Sequence, residues 1–142
     1  MVHVLEIDPQ NAMANLYLGF AFAPLGRHKE AIQVFQKAQA TGGMPWCDES
    51  IGWVYGLMRE GRKARGVLQS SLAKIKNQMH VPSSAIALIH AGLGDNESAL
   101  AILKRCIEER DPLIPWIKYT PGLNQLAQDP RMRDILRRIG LQ

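Results

Sequence analysis

The chain has 142 residues, of which 46 % are hydrophobic and 21 % are charged, and its formal net charge is +4. This length corresponds to one domain over residues 1–142. A membrane span is excluded because no apolar run approaches the roughly 18 residues that one requires.

A short pattern occurs three times along the chain and predicts a helix, a tight turn and a second helix. In each copy a glycine is followed five residues later by a small residue: Gly26 and Ala31, Gly61 and Gly66, Gly94 and Ala99. A glycine that ends a helix tolerates positive φ, and the small residue lets the second helix pack closely against the first. The turn glycines are 35 and then 33 residues apart, so we expect repeats of helix pairs.

The first repeat is predicted over residues 12–45. Val2 to Ile7 has the pattern of a helical tail, and Asp8-Pro9 forms the turn that follows it. We expect helices over 12–23 and 29–40, with Gly19 at the close approach of the two and a break that begins at Thr41. The second helix has an apolar stripe at helical spacing, which consists of Ala31, Ile32, Phe35 and Ala38.

The second repeat is predicted over residues 47–79, and its register is ambiguous. Its first helix begins near Cys47, with Asp48 or Ser50 in the first turn or as the cap. We expect its second helix, over 63–77, to bury Val67, Leu68, Leu72 and Ile75. We prefer the alignment of Gly61 with the other turn glycines. The alternative, a 33-residue shift, matches Gly52 to Gly19, Tyr55 to Phe22, Ala64 to Ala31 and Leu68 to Phe35.

The third repeat is predicted over residues 80–112, with helices over 84–91 and 97–109. The apolar residues of 113–127 are expected to pack on it. A last helix over 131–139 follows, for which Asp129 is a typical N-cap and Pro130 a typical first-turn residue. Terminal repeats of a solenoid require a polar cap, and we expect residues 113–142 to supply it.

Several residues of the first repeat resemble the tetratricopeptide consensus: Leu18-Gly19, Phe22, Leu25-Gly26, Glu30-Ala31, Phe35 and Ala38. A period of about 34 residues with helix–turn–helix content is the signature of that family. The resemblance implies an all-α, right-handed superhelix of three helix pairs with a C-terminal capping helix. The second repeat departs from the consensus at Gly66 and Ser70.

A narrower resemblance concerns residues 85–95, 108–112 and 129–141. These stretches are similar to a C-terminal module of bacterial regulators, including adenylate cyclase-like proteins, winged-helix transcriptional regulators and some Ser/Thr kinases. The resemblance implies a bacterial, cytoplasmic protein, and it suggests either a piece of a larger regulator or a short reading frame derived from one.

The resemblance also indicates where a partner would bind. In a tetratricopeptide superhelix the first helix of each pair lines the concave face, so we predict an apolar groove there for an amphipathic helix or an extended peptide. Leu16 with Phe20, and Ile51 with Tyr55, are four residues apart and share a helix face. The predicted groove consists of Leu16, Phe20, Ile51, Tyr55 and Leu88. Alternatively, these residues form inter-repeat core or lie under the chain's own C-terminal segment.

The motifs of common enzyme classes are absent from the sequence. The four histidines are scattered, and neither a zinc-protease, a nucleophile-elbow nor a phosphate-loop motif occurs. Cys47 and Cys106 have no metal-binding spacing and are expected to be small buried residues. We therefore predict no catalytic residue, no cofactor and no metal, and we predict a scaffold that binds a protein or peptide.

Two other functions remain open. The half-repeat of Val2, Val4, Leu5 and Ile7 favours self-assembly as a homodimer. The basic residues of the middle repeat would suit nucleic acid, but no aromatic residues are interleaved with them, which makes nucleic acid an unlikely partner. The start of the sequence lacks the features of a signal peptide.

Overall fold

The computed structural model describes residues 11–42, 46–110 and 129–138, and these form seven α-helices without a β-strand. The helices are α1 (Ala12–Phe22), α2 (His28–Gly42), α3 (Cys47–Leu57), α4 (Gly61–Lys76), α5 (Ser83–Gly92), α6 (Asn96–Glu109) and α7 (Pro130–Arg138). Consecutive helices pack as the pairs α1–α2, α3–α4 and α5–α6, and α3 packs on α5. The fold is therefore an all-α helical-repeat solenoid, as predicted.

The helix bounds agree with the sequence pattern within a few residues, with one extension. A 3-10 turn over Ala23–Leu25 follows α1. The second helix, which the sequence predicts to end before Thr41, continues through Gly42. The predicted helical tail over residues 2–7 and the apolar segment over 113–127 lie outside the described residues.

Short polar side chains begin three of the helices. The side-chain oxygen of Asn11 accepts a hydrogen bond from the Ala14 amide at 2.8 Å, and that of Asp95 accepts one from the Ser98 amide at 3.2 Å. Asp129 accepts from the Arg131 amide at 2.8 Å, as its predicted capping role requires. These bonds satisfy backbone donors that have no partner within the helix. In α3 the cap position is Trp46, and Asp48 lies in the first turn.

The turns between paired helices correct the preferred register of the second repeat. Gly26 and Gly94 have φ of +81° and +80°, as expected for turn glycines. The equivalent residue of the second repeat is Arg59, with φ of +61°, whereas Gly61 begins α4. In all three turns, the amide of the residue that follows the turn residue donates a hydrogen bond to the carbonyl five residues before it. The alignment on Gly61 is therefore wrong, and the 33-residue shift is correct.

The corrected register gives every repeat the same small residue. Ala31, Ala64 and Ala99 each lie five residues after the turn residue, and all three are fully buried. Gly66, which the other alignment placed there, is exposed, and nothing lies within 4 Å of where its Cβ would be. The second repeat thus has the alanine that it seemed to lack.

The core forms where the helices come closest. A Cβ on Gly19 would lie 2.4 Å from the Phe35 ring, so glycine is required at the crossing of α1 and α2. A Cβ on Gly56 would lie 2.4 Å from the Gly92 carbonyl carbon, where α3 crosses α5. The largest fully buried side chains of the core include Phe35, Trp53, Ile89, Leu100 and Leu103.

The second helix of the middle repeat buries different residues from those predicted. Val67 and Leu68 are only partly buried, whereas Leu72 and Ile75 are 48 % and 44 % exposed. The buried residues of α4 are Ala64 and Ser71. The prediction of a core face at Leu72 and Ile75 is therefore wrong, because α4 packs on α3 through its small residues.

Candidate functional site

The five residues of the predicted groove have different environments. Leu16, Ile51 and Leu88 are at most 8 % exposed and belong to the hydrophobic core, whereas Phe20 and Tyr55 are partly exposed and pack against it. Of these five residues, only Phe20 and Tyr55 have side chains with substantial solvent-exposed surface. The assignment of a binding groove to these five residues stays a prediction.

Phe20 joins three helices through its ring. Its centroid lies 5.3 Å from that of Phe35 in an edge-on arrangement and 5.5 Å from that of Trp53. Such aromatic pairs contribute about 0.5–1.5 kcal/mol each beyond the area they bury. Phe20 therefore helps to hold α1, α2 and α3 together, whatever its exposed edge contacts.

Ile51 and Tyr55 share an open cavity between α3 and α4. Its volume is about 450 Å³, and it is widely open to solvent. Leu16, Phe20 and Leu88 do not line it. The lining residues are Asp48, Ile51, Tyr55, Lys63, Gly66, Val67, Ser70 and Ser71.

Charged side chains border this cavity and are held by partners. The Lys63 ammonium lies 5.4 Å from the centre of the Tyr55 ring and 3.0 Å from a Glu60 carboxylate oxygen. Its hydrogen bond with Glu60 raises the pKa of Lys63. At the other end Asp48 accepts hydrogen bonds from Lys74 at 2.8 Å and from Gln39 at 2.7 Å. The rim thus carries both signs of charge around an apolar centre.

A buried carboxylate lies behind one wall of the cavity. The Ser71 hydroxyl donates a 3.0 Å hydrogen bond to Oε1 of Glu49, which is 1 % exposed. Its neighbour Asp48 points to the rim, as expected for adjacent residues of a helix. The sequence indicates this contact once the 33-residue shift is used. That alignment makes Ala64 a buried residue of α4, and Ser71 lies two helical turns after Ala64 on the same face.

The cysteines and histidines do not form a reactive centre in the described part of the chain. Neither Cys47 nor Cys106 forms a disulfide, and both are fully buried, as predicted. Burial, with Asp48 and Glu49 nearby, raises the pKa of the Cys47 thiol to about 11, so it is protonated at neutral pH and a poor nucleophile. Nδ1 of His90 lies 3.4 Å from Oδ2 of Asp95. No group of three or more metal-ligating side chains occurs within residues 11–42, 46–110 and 129–138.

Comparison with known proteins finds a family match for two of the helix pairs. Residues 13–41 and residues 84–111 each match the tetratricopeptide repeat family. The matched stretches cover α1–α2 and α5–α6, the first and third helix pairs. Neither the curated proteins nor the solved structures contain a significant match to the chain. Among the described helices, none is long and apolar enough to cross a membrane.

Proposed function

We propose that this chain of tetratricopeptide repeats is a protein-interaction scaffold that binds a segment of a partner protein in the cavity between α3 and α4. Tetratricopeptide repeats generally mediate contacts between proteins. The observation that carries the proposal is the open cavity in which Ile51 and Tyr55, two residues of the predicted groove, lie together. A catalytic function has no support from the described side chains.

The cavity has the chemistry of a site for one or two apolar side chains of a peptide. Tyr55 and Val67, which are partly exposed, supply apolar surface, and Ile51 and Ser70 also line the cavity. Aromatic residues such as tyrosine are enriched among the few that dominate binding energy, because they bury a large rigid area and can also donate a hydrogen bond. We therefore infer that Tyr55 is the main contact residue of the site.

The test uses peptides selected from a random display library on the purified chain. Fluorescence anisotropy then gives the Kd of each selected peptide for the wild type and for Tyr55→Ala. We expect the substitution to weaken binding at least tenfold, which is about 1.4 kcal/mol.

Tyr17→Ala is the matched control, since Tyr17 is an exposed tyrosine on α1 that does not line the cavity. Its Kd should stay within twofold of the wild type, and circular dichroism should show both variants folded. Selected peptides that bind Tyr55→Ala as tightly as the wild type would refute the cavity as the binding site. Phe20 is left unchanged because its ring contacts support the core.

A further inference from the structure

The exposed apolar residues of α4 form a second surface, separate from the cavity. Leu72, Ile75 and Met79 are 48 %, 44 % and 58 % exposed. Leu72 and Ile75 are three residues apart and share a helix face. The Met79 amide bonds to the Lys74 carbonyl at 2.8 Å, which holds Met79 at the end of the helix. We call these three residues the α4 strip.

The repeat architecture does not account for the α4 strip. With the corrected register, the positions of Leu72 and Ile75 correspond to Gln39 and Gly42 in the first repeat. In the third repeat they correspond to Ile107 and Arg110. The other repeats therefore do not need a pair of large apolar residues here, and α4 exposes such a pair to solvent.

Exposed cations border the α4 strip. The helix contains five basic residues and no carboxylate. Two of them, Lys63 and Lys74, form ion pairs on the cavity side. The other three, Arg62, Arg65 and Lys76, are exposed and have no ion pair in the described parts of the chain. Arg65 lies seven residues before Leu72 and Lys76 four residues after it, so both flank the strip.

We propose that the α4 strip binds an acidic amphipathic helix of a partner protein. The apolar face of such a helix would cover Leu72, Ile75 and Met79, and its carboxylates would meet Arg65 and Lys76. The helix from Arg65 to its end at Lys76 is about 16 Å long, and Met79 lies three residues beyond that end, so a partner helix of about 15 residues would cover the site. This surface is independent of the cavity assigned above.

Charge and shape favour this occupant over three others. A second copy of the chain would place two cationic helices face to face, and like charges across an interface oppose binding. Nucleic acid would engage the cations through phosphates and leave the apolar strip uncovered. An anionic membrane suits a basic amphipathic helix with an extended apolar face, but the exposed large apolar residues of α4 and the turn after it are only Leu72, Ile75 and Met79.

The experiment uses a designed probe and the full chain. The probe is a fluorescent 16-residue helical peptide with leucines on one face bordered by glutamates. One control peptide has the same composition in an order that spreads the leucines around the helix. A second control has glutamine at every glutamate position. Fluorescence anisotropy is measured for each peptide at low and at high salt.

We expect the probe to bind with a micromolar Kd, and both control peptides to bind at least tenfold more weakly. The double variant Leu72→Gln, Ile75→Gln should weaken binding of the probe at least tenfold and should stay folded, because both residues are exposed. The double variant Arg65→Gln, Lys76→Gln should weaken binding of the probe at low salt. Tyr55→Ala, in the cavity, and Lys104→Gln, an exposed cation of α6, should leave the Kd unchanged.

Several outcomes would overturn the proposal. Equal binding of the reordered peptide would mean that charge alone acts, and retained binding by the Leu72 and Ile75 variant would place the site elsewhere. Absence of probe binding at 100 µM protein refutes the acidic helix as occupant. Strip-dependent sedimentation with anionic vesicles, strip-dependent binding of duplex DNA, or strip-dependent dimerisation in light scattering, each without probe binding, would assign the surface to that other occupant.

Discussion

Arg59 has a backbone conformation that the equivalent positions of the other repeats give to glycine. Its φ is +61°, against +81° at Gly26 and +80° at Gly94. The left-handed conformation costs a residue with a side chain about 1–2 kcal/mol. The second repeat therefore keeps the turn geometry at an energetic cost. Because its turn residue is not a glycine, the glycine pattern of the sequence indicates the wrong residue, Gly61.

Replacing Arg59 by glycine should stabilise the fold. Relief of the left-handed strain exceeds the extra chain entropy of glycine, which is about 0.5–1 kcal/mol, so we expect a net gain of about 0.5–1 kcal/mol. Urea unfolding followed by circular dichroism measures this difference.

The reverse change, Gly94→Ala, is the control for the backbone effect. Nothing lies within 4 Å of where its Cβ would be, so the expected loss of about 1 kcal/mol comes from the backbone alone. If Arg59→Gly lowers the free energy of unfolding, the side chain of Arg59 contributes more than the strain of its backbone.

At the scale of the helices, α3 and α5 approach so closely that their backbones touch. The Cβ that alanine would add at Gly56 lies 2.4 Å from the Gly92 carbonyl carbon, and one added at Gly92 lies 2.6 Å from the Trp53 carbonyl oxygen. Both obstacles are backbone atoms, which cannot rotate away as a side chain can. The crossing thus depends on two glycines, of which the repeat pattern identified neither.

Gly56→Ala should destabilise the chain. The methyl group forces the helices apart, and overpacking of this kind typically costs about 1–3 kcal/mol. Gly66→Ala is the matched control, because Gly66 is an exposed helix residue with free space around it. Alanine is the better helix former there by about 1 kcal/mol, so the control should gain stability.

A lower free energy of unfolding for Gly56→Ala and a higher one for Gly66→Ala, measured by thermal or urea unfolding, would establish the close crossing of α3 and α5. Equal effects at Gly56 and Gly66 would contradict the close approach of α3 and α5.

The helix α4 shows how one element carries two surfaces. Lys63 lines the cavity and Lys74 pairs with Asp48 at its rim, whereas Arg65 and Lys76 flank the exposed α4 strip. The sequence predicted the helix but placed its core face at Leu72 and Ile75. Ser71, a polar residue, is buried instead because the Glu49 carboxylate accepts its hydrogen bond. Polarity alone could not indicate that face.

At the scale of the whole molecule, α7 closes the last described helix pair. Met132 is buried in the core, and Arg131 bridges the start of α7 to the start of α6. The Arg131 guanidinium donates to both Glu97 oxygens, at 2.6 and 2.7 Å, and to Asp129 at 2.9 Å. These hydrogen bonds lower the pKa of Glu97 and that of Asp129. The predicted capping helix is thus tied to the repeat by an ionic contact as well as an apolar one.

The stabilising effect of Arg131 should depend on pH. A carboxylate whose pKa is lowered in the folded state adds stability above its unfolded pKa and loses it as the pH falls through the folded value. The wild type should therefore have a higher Tm than Arg131→Gln at pH 7, and the difference should shrink below about pH 4. Arg131 and Glu97 are exposed and Asp129 is partly exposed, so the effect is modest.

Thermal unfolding by circular dichroism across this pH range measures the effect. Arg133→Gln is the control, since Arg133 is an exposed residue of α7 without an ion pair in the described residues. A Tm difference between wild type and Arg131→Gln that does not change with pH would exclude the carboxylates as its source.

The sequence by itself determined the helices, their pairing into repeats and the capping residue Asp129, because these follow from local periodicity, turn residues and caps. It also predicted that Cys47 and Cys106 are buried. The tertiary structure alone decided the register at Arg59, the glycine crossing of Gly56 with Gly92, and the orientation of α4. Each of these depends on which surfaces of distant helices meet, and a residue's own polarity and spacing do not record that contact.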